Sequence, residues 1–160
     1  MPETPWTVRR ATVPDAGEVA HLLDRFNREF DTPSPGPEVL TARLAGLLAG
    51  THTFALLSGE PCLGVALVTL RPNVWYPGPV ALLDELYVVP EQRSNGIGSA
   101  IISRLIADAH AVGVGLIEIN VDEADVDAQR FYERHRFTLT EPDTGERAFY
   151  YSQELGGPNA

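Results

Sequence analysis

The sequence predicts a mixed α/β fold: a central mixed β-sheet flanked by helices on both faces. Three observations carry that expectation. Short apolar runs of strand length are interleaved with longer stretches of helical periodicity, in the order β-α-α-β-β-β-α-β-α-β. The turn Ser58-Gly59-Glu60-Pro61 joins two such apolar runs closely enough for an antiparallel hairpin. At 160 residues, 44% of them hydrophobic, the chain suits one domain with a core that needs no staples.

Taken in order, Trp6-Thr7-Val8-Arg9-Arg10-Ala11 reads as a short strand ending before Pro14. Asp15-Ala16-Gly17-Glu18 then reads as a capping box, with Asp15 accepting a backbone N–H and Glu18 reaching back. Val19, Leu22, Leu23, Phe26 and Phe30 follow at helical spacing. The proline-rich stretch Asp31-Thr32-Pro33-Ser34-Pro35-Gly36-Pro37 breaks that helix. Val39, Leu40, Leu44, Leu47 and Leu48 indicate a second one. Strands are predicted at Thr53 to Leu57 and at Leu63 to Leu70, followed by an irregular loop from Arg71 to Pro79 that carries Trp75 and Tyr76. A further strand runs from Leu82 to Val89. Ile97, Ile101, Ile102, Leu105, Ile106 and Ala109 give a helix packed on a sheet. Leu116 to Val121 is another strand, and Ala128, Phe131, Tyr132 and His135 form a helical stripe beginning near Asp125 or Asp127. Arg147-Ala148-Phe149-Tyr150-Tyr151-Ser152 is expected to close the fold as a strand. Residues 1–155 are read as the domain and 156–160 as a mobile tail.

Composition narrows the chemistry. The formal net charge is −10, and every basic residue is arginine; there is no lysine. Nucleic-acid binding is disfavoured, because no basic face is available to neutralise phosphates. An acidic surface favours cationic small molecules or basic protein tails, over a screening length of about 8 Å at physiological salt. Without lysine there is no Schiff-base chemistry and no P-loop lysine. Cys62 is the single cysteine, which excludes an internal disulfide and a cysteine-rich metal site and fits a reducing, cytoplasmic setting. It reads better as a small buried hydrophobe than as a nucleophile. His21, His52, His110 and His135 lack metal-ligand spacing, so no metal is expected. No leader pattern opens the sequence, and no apolar run is long enough for a membrane span.

The most informative stretch is Leu82 to Ser99. A strand feeding an Arg- and Gly-containing turn at a helix N-terminus builds an anion socket, where backbone N–H groups and the positive end of the helix dipole converge. Gly96 and Gly98 allow close main-chain approach, and Arg93 adds a bidentate fork suited to phosphate oxygens.

With this turn, the order of elements resembles the GNAT superfamily of acyl-CoA-dependent N-acetyltransferases. The family's pyrophosphate loop reads Arg/Gln-x-x-Gly-x-Gly/Ala, and Arg93-Ser94-Asn95-Gly96-Ile97-Gly98 matches it. Leu86-Tyr87-Val88-Val89-Pro90 resembles the family strand whose backbone pairs with the pantetheine arm. A second signature, Asn-x-x-Ala-x-x-x-Tyr-x-x-x-Gly-Phe, is filled by the segment from Asp125 to Phe137. Asp125 replaces its Asn and Arg136 its Gly.

The resemblance implies acetyl-CoA as cosubstrate, held by Leu86, Tyr87, Val88, Arg93, Ser94, Asn95, Gly96, Ile97, Gly98, Ser99 and Asp125, and an amine acceptor in a single ternary complex. Tyr132 matches the family's general acid for the departing thiolate. Glu85 and Asp84 lie mid-strand, where an ionised carboxylate is costly unless partnered. Because strand side chains alternate, the two are expected on opposite faces, with Glu85 favoured as the base and a structural ion pair as the bland alternative. Asn120 and Asp122 are expected to end a strand and cap the next helix. Phe30, Asp31, Trp75 and Tyr76 are candidates for the acceptor wall. The acidic balance points to a polyamine-like, aminoglycoside-like or protein amine, and the resemblance allows a homodimer. The competing reading is a catalytically silent acyl-CoA-binding or sensing module, against which the retained Tyr132 argues.

Overall fold

A computed structural model of the chain describes residues 5–157; residues 1–4 and the last three positions of the expected tail lie outside the described residues. Its contacts divide the chain into two compact units, one ending at Ile119 and the other beginning at Asn120.

The first unit is a five-stranded sheet with strand order β1-β2-β3-β4-β5. It comprises β1 (Val8–Arg10), α1 (Ala16–Glu29), α2 (Pro37–Ala49), β2 (Thr53–Ser58), β3 (Gly64–Arg71), β4 (Val80–Val88), α3 (Ile97–Ala111) and β5 (Leu116–Ile119). Pairing is antiparallel from β1 through β4, and β5 joins β4 in parallel after the α3 crossover. The sheet is therefore mixed, as expected.

Side-chain alternation divides the core in two. Ala55, Leu57, Val65, Tyr87 and Val89 pack with Val19, Ala20 and Leu22 of α1 and Leu44 of α2. The other face receives α3, whose Ile97 and Ile101 come so close to Gly64 that a Cβ there would lie 2.7 Å from Ile97 Cγ2. Leu56, Ala66, Leu83, Ile101, Ile102 and Leu105 are buried to 2% exposure or less. Burying such side chains is the main stabilising term of the unit.

The entry to α1 differs from expectation. Asp15 does not accept the capping bond as the N-cap. Instead its Oδ2 accepts from the Thr12 N–H (2.7 Å) and Thr12 Oγ1 (3.0 Å), and its own N–H donates to the Thr12 carbonyl (2.9 Å). The physical cause is Pro14, which fits the first turn of a helical segment and starts a single 3₁₀ turn, Val13–Asp15, ahead of α1. The capping arrangement begins three residues early, and the Arg9 fork closes on Asp15 at 2.8 and 2.9 Å.

The second unit contains α4 (Val126–Arg134) and an isolated bridge between Thr140 and Arg147. The closing strand expected at Arg147 to Ser152 does not form. Phe149, Tyr150 and Tyr151 have strong β propensity, yet they are 67–88% exposed, and no neighbouring strand supplies ladder partners among the described residues. Propensity without a partner does not make a strand.

Candidate active site

The site begins with an irregularity in β4. Leu67 pairs with Glu85 but the next residue, Val68, pairs with Leu83, so Asp84 is an extra residue bulged out of the ladder. Bulges re-aim side chains. Leu83 faces α3, whereas Glu85 lies opposite Leu67 and takes the face covered by α1 and α2. Asp84 accepts a hydrogen bond from Thr69 Oγ1 at 2.6 Å, and Thr69 shares the face of Leu67. The two carboxylates therefore do not point to opposite faces, as simple alternation predicted; the bulge puts both on one side.

The consequence is electrostatic. Glu85 is largely withdrawn from water, and no hydrogen bond or ion pair reaches its carboxylate among the described residues, which overturns the bland alternative of a structural ion pair. Burial first, and the Asp84 charge second, push its pKa up to about 7. Burial also raises Asp84, against the pull of the Thr69 hydroxyl. Glu85 thus exchanges its proton near neutral pH, which suits a general base.

Beyond the bulge the sheet opens. β5 pairs with β4 only from Val80 to Leu83, while β4 continues beside β3 to Val88. The Val89 N–H donates to the Leu63 carbonyl (2.9 Å), so by alternation the main-chain groups of Leu86 and Val88 turn to the unpaired edge. An extended chain bearing amides can add there as a further strand. The Tyr87 side chain belongs to the other face. It stacks on Phe26 with centroids 4.9 Å apart and donates its hydroxyl to Glu29 (2.9 Å).

The turn that follows has a conformation suited to anions. Pro90–Gln92 forms one 3₁₀ turn, Ser94 is left-handed with φ 66°, and Gly96 is the left-handed N-cap of α3 with φ 91° and ψ 1°. A left-handed residue followed by the right-handed Ile97 makes a nest, in which successive main-chain N–H groups converge. Gly98 and Ser99 continue the first turn of α3, whose N–H groups have no intrahelical acceptor by geometry. Asn95 is fixed at its carbonyl by Trp6 Nε1 (2.8 Å), and its side-chain amide donates to Gln92 (3.0 Å).

Arg93 is used differently from the expectation. Its Nε donates to the Val88 carbonyl (3.0 Å), and its two terminal nitrogens reach the Glu29 carboxylate at 2.6 and 2.9 Å. The fork is turned inward, and the nest is left to the main chain. Phe30 and Asp31 end α1 next to Glu29, Phe30 meeting the Phe26 ring at 5.4 Å. Asp31 (φ 52°) closes the helix, with the Thr32 N–H bonded to the Asn27 carbonyl at 2.8 Å. Both lie at the end of the sheet that carries Arg93 and Tyr87.

Trp75 and Tyr76 lie at the opposite end. The Asn73 carboxamide oxygen takes both of their N–H groups (2.8 and 2.7 Å), and Tyr76 covers Gly115, just before β5 begins. From Val80, opposite Arg71, to Glu85, opposite Leu67, the ladder advances roughly 13 Å. The structure does not bring these two aromatics to Glu85.

In the second unit, Asp125 is the N-cap of α4, its Oδ1 accepting the Ala128 N–H at 3.0 Å. Tyr132 is buried, with its ring edge-on to Phe131 and Phe137 at 5.2 and 5.7 Å. Arg136 adopts φ 68°, the Phe137 N–H donates to the Tyr132 carbonyl and the Arg136 N–H to the Glu133 carbonyl, both at 3.0 Å. This is a Schellman motif with arginine in the glycine position. The turn that the family glycine makes is kept, and the Tyr132–Phe137 contact closes it. Asp122 does not cap α4 as expected, because Asp125 holds the N-cap position; its main-chain carbonyl instead accepts from the side chain of Gln129 (3.0 Å) and from the Asp125 N–H (3.0 Å).

Burial pushes the Cys62 thiol up to about 11, the mark of an inert side chain. Among the described residues, no group of His, Cys, Asp and Glu could hold a metal ion, and no helix is long and apolar enough to cross a membrane.

Sequence reasoning missed Glu29, Arg25 and Thr69. Glu29 is 64 residues from Arg93, and no motif links them. The bulge did leave a trace: two adjacent acids inside an otherwise apolar strand.

Comparison with known proteins puts this arrangement among the N-acetyltransferases. The model of the acetyltransferase (GNAT) family matches residues 17–137, and the chain belongs to that family. A crystal structure from Arthrobacter sp. FB24 that carries an acetyltransferase description is 51% identical, with a TM-score of 0.87 over 93% of this chain and 96% of that one. An aminoglycoside acetyltransferase from an uncultured soil metagenomic sample, solved with sisomicin, shares the fold at 19% identity (TM-score 0.75; 93% and 97% covered). So does a ribosomal-protein-alanine N-acetyltransferase from Brucella melitensis biovar Abortus 2308, at 19% identity (TM-score 0.71; 95% and 99% covered). No curated protein matches the chain.

Proposed function

We propose that this enzyme moves an acetyl group from acetyl-CoA to a primary amine by direct transfer, the acceptor being a small cationic amine or a protein amine. The observation that carries this reading is Glu85: an unpartnered carboxylate with a pKa of about 7, aimed by a bulge and lying on the strand that runs into the nest.

The residues suit the donor. The nest at Gly96–Ile97 and the first turn of α3 offer main-chain N–H groups to the diphosphate. The open edge at Leu86 and Val88 offers strand-like bonds to the amides of the pantetheine arm. In the reaction, the ammonium form of the acceptor gives its proton to Glu85, directly or through a water. The freed nitrogen lone pair attacks the thioester carbonyl and a C–N bond forms; as the adduct collapses the C–S bond breaks. The motif around Tyr132 supports its phenol as the donor to the departing thiolate. The nitrogen's second proton passes to solvent, which in turn reprotonates the Tyr132 phenolate. Asp84 and Asp31, with the overall charge of −10, favour a cationic acceptor of polyamine- or aminoglycoside-like kind.

The test is thiol release from acetyl-CoA across a panel of polyamines, aminoglycosides and peptide amines. Turnover with at least one amine is expected, together with a marked loss in Tyr132→Phe. Coenzyme A binding with no turnover on any amine would replace this reading with a silent acyl-CoA-binding module.

A further inference from the structure

Glu29 belongs to no motif, and the reaction gives it no step, yet two side chains converge on it. Tyr87 donates its hydroxyl to Oε1 at 2.9 Å, and the Arg93 fork spans both oxygens at 2.9 and 2.6 Å. That guanidinium holds its carboxyl below the usual range. One helical turn earlier on α1, Arg25 pairs with Glu91. Helix α1 thus presents a positive and then a negative charge, and the connection after β4 presents the complementary pair at Glu91 and Arg93. Arg93 also ties back to the Val88 carbonyl at 3.0 Å.

The loop held this way needs holding. Ser94 is left-handed without being glycine, a backbone conformation that a side chain with a Cβ rarely adopts. Such conformations persist only where their surroundings impose them. Trp6 fixes the far side of the turn at Asn95, and the two ion pairs fix the near side. We propose that Glu29, assisted by Arg25, is a positioning residue for coenzyme A: the two ion pairs clasp the glycine turn to α1 and keep its main-chain N–H groups in diphosphate-binding geometry. This inference rests on the acetyl-CoA reading above.

The sign of one measurement decides it. Charge arithmetic predicts that neutralising Glu29 tightens a polyanion, both by removing repulsion and by freeing the Arg93 fork for phosphate. A clasp predicts the reverse. Calorimetric titration with coenzyme A and with its diphosphate half, 3′-phosphoadenosine 5′-diphosphate, should show Glu29→Gln binding both probes about tenfold more weakly. Glu38→Gln, which removes an exposed acid on α2, should bind them no more weakly than the wild type. Glu91→Arg, which by charge alone should tighten both probes, should instead weaken them by breaking its pair with Arg25, and adding Arg25→Glu should restore them; this exposed pair keeps the test valid should Glu29→Gln fold poorly. Unchanged or tighter binding by Glu29→Gln, or a loss seen with coenzyme A but not with its diphosphate half, would overturn the clasp alone. Wild-type protein that binds neither probe would overturn the acetyl-CoA reading itself.

Discussion

The two halves of β4 make an instructive contrast. From Val80 to Leu83 the strand is apolar, paired on both sides and mostly buried. From Glu85 to Val88 it is paired on one side, carries an unpartnered acid and ends against an arginine. A single inserted residue, Asp84, separates them. The first half answers to packing; the second is where the proposed function puts its chemistry.

The largest effect that would break this contrast belongs to Glu85. Glu85→Gln should lower kcat/KM by about 10²- to 10⁴-fold and abolish the rise of activity with pH through about 7. Retention of that rise in the variant would remove Glu85 as the base. On the scaffold side, Leu83→Ala should cost about 2–5 kcal/mol of stability, read from denaturant midpoints, while the pH profile of the folded enzyme keeps its inflection.

Stability sharpens the same point. Glu85 has its folded pKa raised from 4.5 to about 7, so the fold favours the protonated acid. Its stabilising contribution is complete below pH 4.5 and is lost as pH rises through 7. Glu85→Gln should therefore melt higher than wild type at pH 8, with the gap closing toward pH 5; a gap independent of pH would refute the raised pKa. Asp84→Asn removes the smaller of the two causes. The activity inflection should move to lower pH yet stay above the ordinary range, because burial remains.

Two smaller effects lie outside the strand. Arg136→Gly should stabilise the chain by about 1 kcal/mol, since glycine adopts a left-handed turn without the Cβ penalty. Trp75→Ala should leave kcat/KM within about twofold and stability within about 0.5 kcal/mol, as expected of an exposed side chain at the wrong end of the sheet.

How far the sequence could be read follows the range of the interactions. The hairpin, the periodic helices and the strand–turn–helix unit rest on local pattern, and each stands where it was expected. Glu85 and the glycine turn were legible for the same reason. The shared face of Asp84 and Glu85 was not, because alternation assumes a regular ladder and a bulge is settled by pairing with β3. The inward turn of Arg93 depends on a helix far away in sequence. Phe149 to Tyr151 carry the composition of a strand but lack the neighbour that would make one. Pro14 moved the α1 cap by one short turn, which a motif search anchored on Asp15 overlooks.

The unpaired edge at Leu86 and Val88 carries one more implication. A slot lined by peptide groups looks the same whichever residues contribute them, so the side chains there remain at the service of α3 packing. On the proposed reading of that slot, mutational drift beneath it can refit the interior without relearning how to grasp the donor. Selectivity for the acceptor is under no such shelter, and must be rewritten one side chain at a time.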